Sequence, residues 1–322
     1  MADQQHPEYM HGLLLSPSPH IRSPRTVQSI MLDVLIALLP ACVAAVVFFG
    51  AGTLWQMALS IGTAIGCEAL FQKVAHREIT IRDCSAILTG LLLALNLPPQ
   101  TPWYIPVCGS AFAILVAKQC FGGLGQNFVN PALAGRAFLL LSFPVAMTSW
   151  YAPFFGPDAV TSATPLGLVS QGLPVDVTDW DLFIGNVGGC IGETSALALL
   201  IGFAFLLIRK DISWRIPCVY MATVAVFTLL LGQPDKILFN LFADGLMLGA
   251  IFMATDYVSA PLTAGAQYAY AIGCGVITMV IRLWGGYPEG VSFAILFMNL
   301  TSPLLDRAFK RRVFGEVPAV EK

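Results

Sequence analysis

Charge is what this sequence has least of. Only 11% of its 322 residues are Asp, Glu, Lys or Arg and 57% are hydrophobic, where a soluble domain carries roughly 25% charged residues. Much of such a surface must face something other than water. The formal net charge of −2 comes with no basic tract of the kind that binds nucleic acid. The eight cysteines (Cys42, Cys67, Cys84, Cys108, Cys120, Cys190, Cys218 and Cys274) include no C-x-x-C pair. Nearly all fall in apolar runs, where a thiol behaves as a small hydrophobe, so no metal or cluster site is expected of them. The first twenty residues lack a short apolar stretch followed by a small-residue cleavage site, which argues against a removed signal peptide and leaves the first span as the expected insertion signal.

What the sequence does have is uncharged apolar runs, recurring from residue 27 to residue 305. They predict an all-α polytopic membrane protein of about ten spans: 27–50, 53–75, 84–97, 104–118, 131–147, 190–208, 214–232, 245–255, 267–283 and 290–305. A full crossing takes about 20 residues. The third and eighth are too short for one, and each runs into irregular sequence, Asn96-Leu97-Pro98-Pro99 and Asp256-Tyr257-Val258-Ser259-Ala260-Pro261. Such backbone is tolerated in a membrane only where protein or a wet cavity covers it.

These two short segments correspond by position. Asp83 and Asp244 open them, 161 residues apart, and Gly122-Gly123 and Gly285-Gly286 precede the last span of each half at nearly the same offset. The pattern predicts two five-helix repeats, 27–147 and 190–305, with broken helices three and eight. An odd number of spans per repeat makes the second half insert upside down. Basic residues set the orientation. Arg22 and Arg25, then Lys73, Arg77 and Arg82, then Arg209, Lys210 and Arg215, then Arg307, Lys310, Arg311 and Arg312 all fall on one side, the cytoplasmic side by the positive-inside rule. Residues 1–26 and 306–322 are therefore expected inside, and the one long connection, 148–189, outside. From Ala137 to Ile208 there is no Lys or Arg.

That long connection carries Asp158-Ala159-Val160-Thr161-Ser162-Ala163-Thr164-Pro165. Taken alone, a hydroxyl-rich turn before a proline is ordinary loop chemistry. As a pattern, Asp-x-x-Thr-Ser-Ala-Thr resembles the acceptor motif at which a flavin transferase joins FMN to a threonine through a phosphoester. Further stretches extend the likeness: Ser18-Pro19-His20 with Arg25-Thr26, Thr89-Gly90 through Pro98-Pro99, Phe121-Gly122-Gly123-Leu124-Gly125-Gln126-Asn127, Asn130-Pro131-Ala132, Gly135-Arg136, Met253-Ala254-Thr255-Asp256, and Glu289-Gly290 with Asn299. Together, over residues of about 16 to 312, they resemble the D subunits of Rnf complexes and, more distantly, the B subunits of sodium-pumping NADH:quinone oxidoreductases. Two positions depart from the pattern: Ser162 stands where Gly is frequent, and Tyr257 where many relatives have Pro.

The resemblance implies a membrane component of a complex that moves electrons between ferredoxin and NAD and drives sodium ions or protons across a bacterial or archaeal cytoplasmic membrane. It implies FMN on an exposed outer hydroxyl, Thr164, with Asp158, Thr161, Ser162 and Ala163 as recognition motif, and room for a second, non-covalent flavin. The partners it implies are the flavin transferase and other membrane, iron–sulfur and flavin subunits of the complex. The chain shows no nucleotide-binding fingerprint and no iron–sulfur spacing, so oxidation of ferredoxin or NADH falls to those subunits, and no catalytic residue is expected here. Asp33, Glu68 and Glu193 lie inside apolar runs and are candidates for the ion path; because each is near a predicted span end, snorkelling or pairing is the competing reading. Asp83 and Asp244 are expected to cap the short helices. Arg136 reads either as a ligand for a phosphate or carboxylate or as a cytoplasmic-end anchor. A stand-alone inverted-repeat transporter without redox role, and a structural scaffold, are the alternatives.

Overall fold

The computed structural model describes residues 9–10, 13–14, 25–154, 161–162, 164–171, 173–174, 177–285 and 289–310. Among these the architecture is helical, with two two-residue strand pairs: β1 (Tyr9–Met10) with β2 (Leu13–Leu14), and β3 (Trp150–Tyr151) with β4 (Thr161–Ser162).

Three helices are long and apolar enough to cross a membrane: α1 (Val27–Phe49), α2 (Gly52–Val74) and α13 (Ala264–Trp284). Their 23, 23 and 21 residues at about 1.5 Å each cover a hydrocarbon core of about 30 Å. Shorter apolar helices accompany them: α3 (Ser85–Leu95), α4 (Tyr104–Phe112, continued by a π-helical stretch Ala113–Gln119), α5 (Pro131–Ser142), α9 (Ala196–Arg209) and α10 (Arg215–Leu230). The last helix, α14 (Val291–Ala308), packs on α13. Leu39, Val43, Val47, Leu70, Ile208 and Leu230 lie on the outer surface, as suits helices that face lipid rather than water.

Local chemistry sets the ends. Thr26 and Ser29 form a capping box at the start of α1. Asn130 accepts from the amides of Ala132 and Leu133, with Pro131 at the first helical position of α5, as its Asn-Pro sequence leads one to expect. Asp306, near the end of α14, accepts from the amides of Leu262 and Thr263 and so ties down the start of α13.

Segments three and eight are short helices. Cys84, at φ 63°, turns the chain into α3, and Gly245, at φ 72°, turns it into α12 (Leu246–Leu248), which continues as a π-helical stretch Gly249–Met253. The axis bends by 66° between Pro234–Phe242, which includes α11 (Ile237–Phe242), and Leu246–Met253. The far ends of the two short helices meet: Asn96 Nδ2 lies 3.6 Å from Met253 Sδ, and Asn130 Nδ2 donates to the Met253 carbonyl at 3.3 Å.

Two expectations about spans need correcting. The sixth does not begin at 190: residues 190–195 are irregular, and α9 starts at Ala196 behind the Ser195 cap. The irregular stretch serves the end of α3, since Ile191 N–H donates to Leu97 O at 3.1 Å and Gly192 N–H to Leu95 O at 2.9 Å. Carbonyls that a helix end leaves open are thereby satisfied away from water. The fifth span breaks at Phe143, before the short α6 (Pro144–Met147).

Candidate functional site

The described parts of the connection 148–189 are folded against the bundle. Trp150 pairs with Ser162 and Tyr151 with Thr161, and Phe154 N–H donates to Phe48 O at the end of α1. Helices α7 (Pro165–Ser170) and α8 (Asp179–Ile184) follow. Leu166, Leu182 and Val187 form a small core with Ala243, which follows α11. Thr178 and Asp181 make a capping box on α8, and hydrogen bonds from the Thr178 and Asn186 side chains hold the Asp181 carboxyl below its ordinary range.

Thr164 is the N-cap of α7. Its hydroxyl oxygen accepts from Gly167 N–H at 3.0 Å, and Pro165 occupies the first helical position. The residue is 3% exposed, which corrects the expectation of an exposed hydroxyl: a cap oxygen is held where the backbone needs it. Pro165 lines one small cavity together with Asp244, Glu193 and Thr194. Of the rest of the motif, Asp158 and Ala163 lie outside the described residues, and Thr161 and Ser162 are described by their backbone alone.

A phosphoester fits this position in one respect and strains it in another. It would replace the Thr164 hydroxyl proton and keep the oxygen that accepts from Gly167, so the cap survives. The phosphate itself would enter a covered space beside a carboxylate.

The three candidate carboxylates are all paired. Glu68, on α2, takes both of its oxygens to Lys118 Nζ at 2.9 and 2.8 Å and also accepts from Gln119 and Gln72. Lys118 donates further to Ser85 Oγ at the start of α3. Glu193, in the irregular stretch before α9, pairs with Arg136 Nη1 at 2.7 Å. Asp33 pairs with Arg209 at 2.8 Å at one end of α1, beside a second pair, Arg25 with Asp211. Burial and the nearby Asp33 push the Asp211 carboxyl up, against the pull of Arg25.

Arg136 is not an end anchor. It is 5% exposed and sits where the two halves of the chain meet, donating to Asn96 Oδ1 at 2.7 Å, to Glu193 and to Glu289. Cys190 Sγ lies 3.5 Å from the same guanidinium and donates to Asn96 O. The two aspartates expected to cap diverge. Asp83 accepts from Ser85 N–H at 2.9 Å, as expected; Asp244 caps nothing, and its Oδ2 is buried without a partner. Lys118, Gln119 and Arg282 carry no motif that marks them in the sequence. A lysine and an arginine inside apolar runs are the available signal.

A cleft between the halves is lined by Ser85, Thr89, Asn127, Asn130 and Thr255 along with apolar side chains. Its amides and hydroxyls suit a heteroaromatic ring.

Spanning apolar helices, irregular segments covered by protein and ion pairs sealed inside the bundle together define a multi-pass integral membrane protein. The chain belongs to the NQR2, RnfD, RnfE family, whose family model matches residues 14–315. It is 54% identical over 308 residues to the D subunit of the Na(+)-translocating ferredoxin:NAD(+) oxidoreductase complex of Acetobacterium woodii, covering 94% of this chain and 96% of that one. It is 44% identical over 316 residues to the D subunit of the proton-translocating ferredoxin:NAD(+) oxidoreductase complex of Clostridium ljungdahlii, with the same coverage. To the D subunit of the ion-translocating oxidoreductase complex of Stutzerimonas stutzeri it is 38% identical over 327 residues, covering 90% and 92%.

Proposed function

We propose that this chain is the D-type membrane component of an ion-translocating ferredoxin:NAD oxidoreductase complex and carries FMN as a phosphoester on Thr164. The observation that carries the reading is the end-to-end likeness to D subunits, 54% identical in the first case, with the acceptor pattern ending at Thr164. Bound there, FMN would exchange electrons singly or in pairs and so link one-electron iron–sulfur centres to two-electron carriers. Thr164 anchors the group and Gly167 N–H holds the anchoring oxygen; neither reacts with substrate.

The finer architecture belongs to the same proposal. Ten spans form two inverted repeats, 27–147 and 190–305, whose short third and eighth helices enter from opposite faces and meet near the midplane. The supporting facts are the matched turns at Cys84 and Gly245 and the contact of Asn96 with Met253. The protein sits in the cytoplasmic membrane with segments 1–26 and 306–322 inside and 148–189 outside. Other membrane, iron–sulfur and flavin subunits and, during maturation, the flavin transferase are its partners. Among Asp33, Glu68 and Glu193, Glu193 has the strongest claim to the ion path, because it lies between the halves. The second flavin is left without assigned residues.

The test is made on the native chain from cells that contain the transferase. In-gel fluorescence of the denatured chain and peptide mass spectrometry should find an FMN-sized adduct on Thr164. Thr164→Val should remove it, and Thr164→Ser should retain part of it. Because Thr164 also caps α7, the Val variant loses about 0.5–2 kcal/mol, and Thr164→Ser, which keeps the cap, controls for that loss. An unmodified Thr164, or an adduct on Thr161 or Ser162, would show the site to be wrong.

A further inference from the structure

We infer that two neighbouring loops, 75–83 between α2 and α3 and 120–129 ahead of α5, form the docking surface for a peripheral redox subunit whose contact face is apolar at its centre and acidic at its rim. The inference rests on the reading of the chain as a D-type membrane component and adds a partner surface to it. Both loops follow even-numbered spans and so share the side expected to be cytoplasmic.

Ile79 is 61% exposed, and Phe121 and Phe128 are exposed as well. Ile79 stands beyond the end of α2, past Lys73 and Arg77, where side chains meet headgroups and water rather than acyl chains. The rings of Phe121 and Phe128 meet edge to face with centroids 4.5 Å apart, so each holds the other in place. Neither loop is slack. Gln72 Nε2 donates to Thr80 Oγ1 at 2.8 Å, and Gln72 Oε1 accepts from Thr80 N–H at 3.0 Å. Arg77 N–H donates to Gln72 O at 2.8 Å, after a turn at His76 with φ 51°. In the second loop, Gly122 N–H donates to Gln119 O and Gly123 N–H to Lys118 O, both at 3.1 Å. Arg77 Nη1 donates to Gly122 O at 3.4 Å and sets the two loops side by side.

Exposed apolar side chains rimmed by charge mark a contact surface. Lipid headgroups adapt to whatever is presented to them, whereas a protein face gains from side chains held in place before contact, because less ordering is left to do on binding. The fixed loops therefore favour a protein. The rim is basic: Lys73, Arg77 and Arg82 are exposed beside Glu78, while Asp83 turns its Oδ1 to Ser85. Complementarity then asks for an acidic rim on the partner. Leu124 and Asn127, on the second loop, line the cleft between the halves, so a subunit docked here lies at the mouth of that cleft. The chain has no iron–sulfur spacing and no nucleotide-binding fingerprint of its own. The redox centres on this side have to be brought by such a subunit.

The test uses the assembled complex in native membranes, with p-benzoylphenylalanine replacing Ile79 or Phe128 and, for comparison, Trp180 of α8. Irradiation should join positions 79 and 128 to the same peripheral subunit, identified by mass spectrometry as a component of the complex, and should not join position 180 to it. That subunit is then stripped off and rebound to the membranes. Ile79→Asp should weaken rebinding about tenfold. Arg82→Glu should weaken it at low salt, with the difference shrinking as salt screens the rim. Both side chains are exposed, so both purified variants should unfold at the parent midpoint. If Ile79→Asp does not accumulate, the Arg82→Glu arm and its salt dependence decide. Products with lipid alone, products with a membrane-embedded subunit, or rebinding that neither substitution changes overturn the docking surface and leave the D-type reading standing. A parent chain that co-purifies with no other subunit overturns both.

Discussion

Glu68 and Lys118 stand 50 residues apart in sequence and 2.8 Å apart in the fold. Lys118 ends the fourth predicted apolar run, and the structure leaves it 1% exposed. Its charge is met by Glu68, and the remaining Glu68 lone pairs by Gln72 and Gln119. Partnerships over such a separation depend on which helices pack together, and no local pattern reports that. Glu193 is misplaced by sequence for a related reason. Hydropathy reports burial and not helicity, so the buried irregular stretch 190–195 resembles the start of a span, although Gly188, Gly189 and Gly192 mark it. Removing one member of a sealed pair strands the other. Glu68→Ala or Lys118→Met alone should cost about 3–5 kcal/mol, and Glu68→Met with Lys118→Met should recover most of it, as thermal unfolding of the purified chain would show. Ion transport separates structure from path. Asp33→Asn, Glu68→Gln and Glu193→Gln keep the shapes of the side chains, and Glu193→Gln should lower ion uptake into vesicles at an unchanged level of assembled complex. Normal uptake by all three variants would make the carboxylates structural.

At the scale of elements, the short third and eighth segments are legible because length is the one thing a bilayer fixes. What satisfies their ends is not legible, since it comes from distant loops: Ile191 and Gly192 for α3, Asn130 for the stretch ending at Met253. Glycines record these approaches. A Cβ on Gly202 of α9 would lie 2.2 Å from the Ala37 carbonyl oxygen of α1, a backbone atom that cannot step aside, whereas a Cβ on Gly62 of α2 would meet nothing within 4 Å. Gly202→Ala should therefore destabilise the chain by about 1–3 kcal/mol through overpacking. Gly62→Ala should be neutral or stabilise by up to about 1 kcal/mol, since Ala is the better helix former. Calorimetry of the two purified variants checks the ranking, and the reverse order would contradict the close α1–α9 crossing.

Over the whole molecule, two chemically different ends are apparent. At one, Arg25, Asp211, Arg209 and Asp33 interlock, and the Tyr257 hydroxyl donates to Asp211 O. At the other, the α1 end at Phe48 meets Phe154, and α7 and α8 pack on α11. Arg25 and Arg209, two of the basic residues that set orientation by sequence, thus lie away from the segment that bears Thr164, which is the arrangement the positive-inside rule requires if that segment is outside. Orientation can be read directly from labelling. Trp180, on α8, is 66% exposed, and Lys310, just past α14, is exposed as well. In a background with the exposed Cys120 replaced by Ser, Trp180→Cys should react with a membrane-impermeant maleimide on intact cells. Lys310→Cys should react only after permeabilisation. Labelling of position 310 from outside, or protection of position 180 until the membrane is opened, would reverse the topology. It would also place Thr164 on the cytoplasmic face, where a covalent tether would no longer be needed to retain an outward-facing flavin.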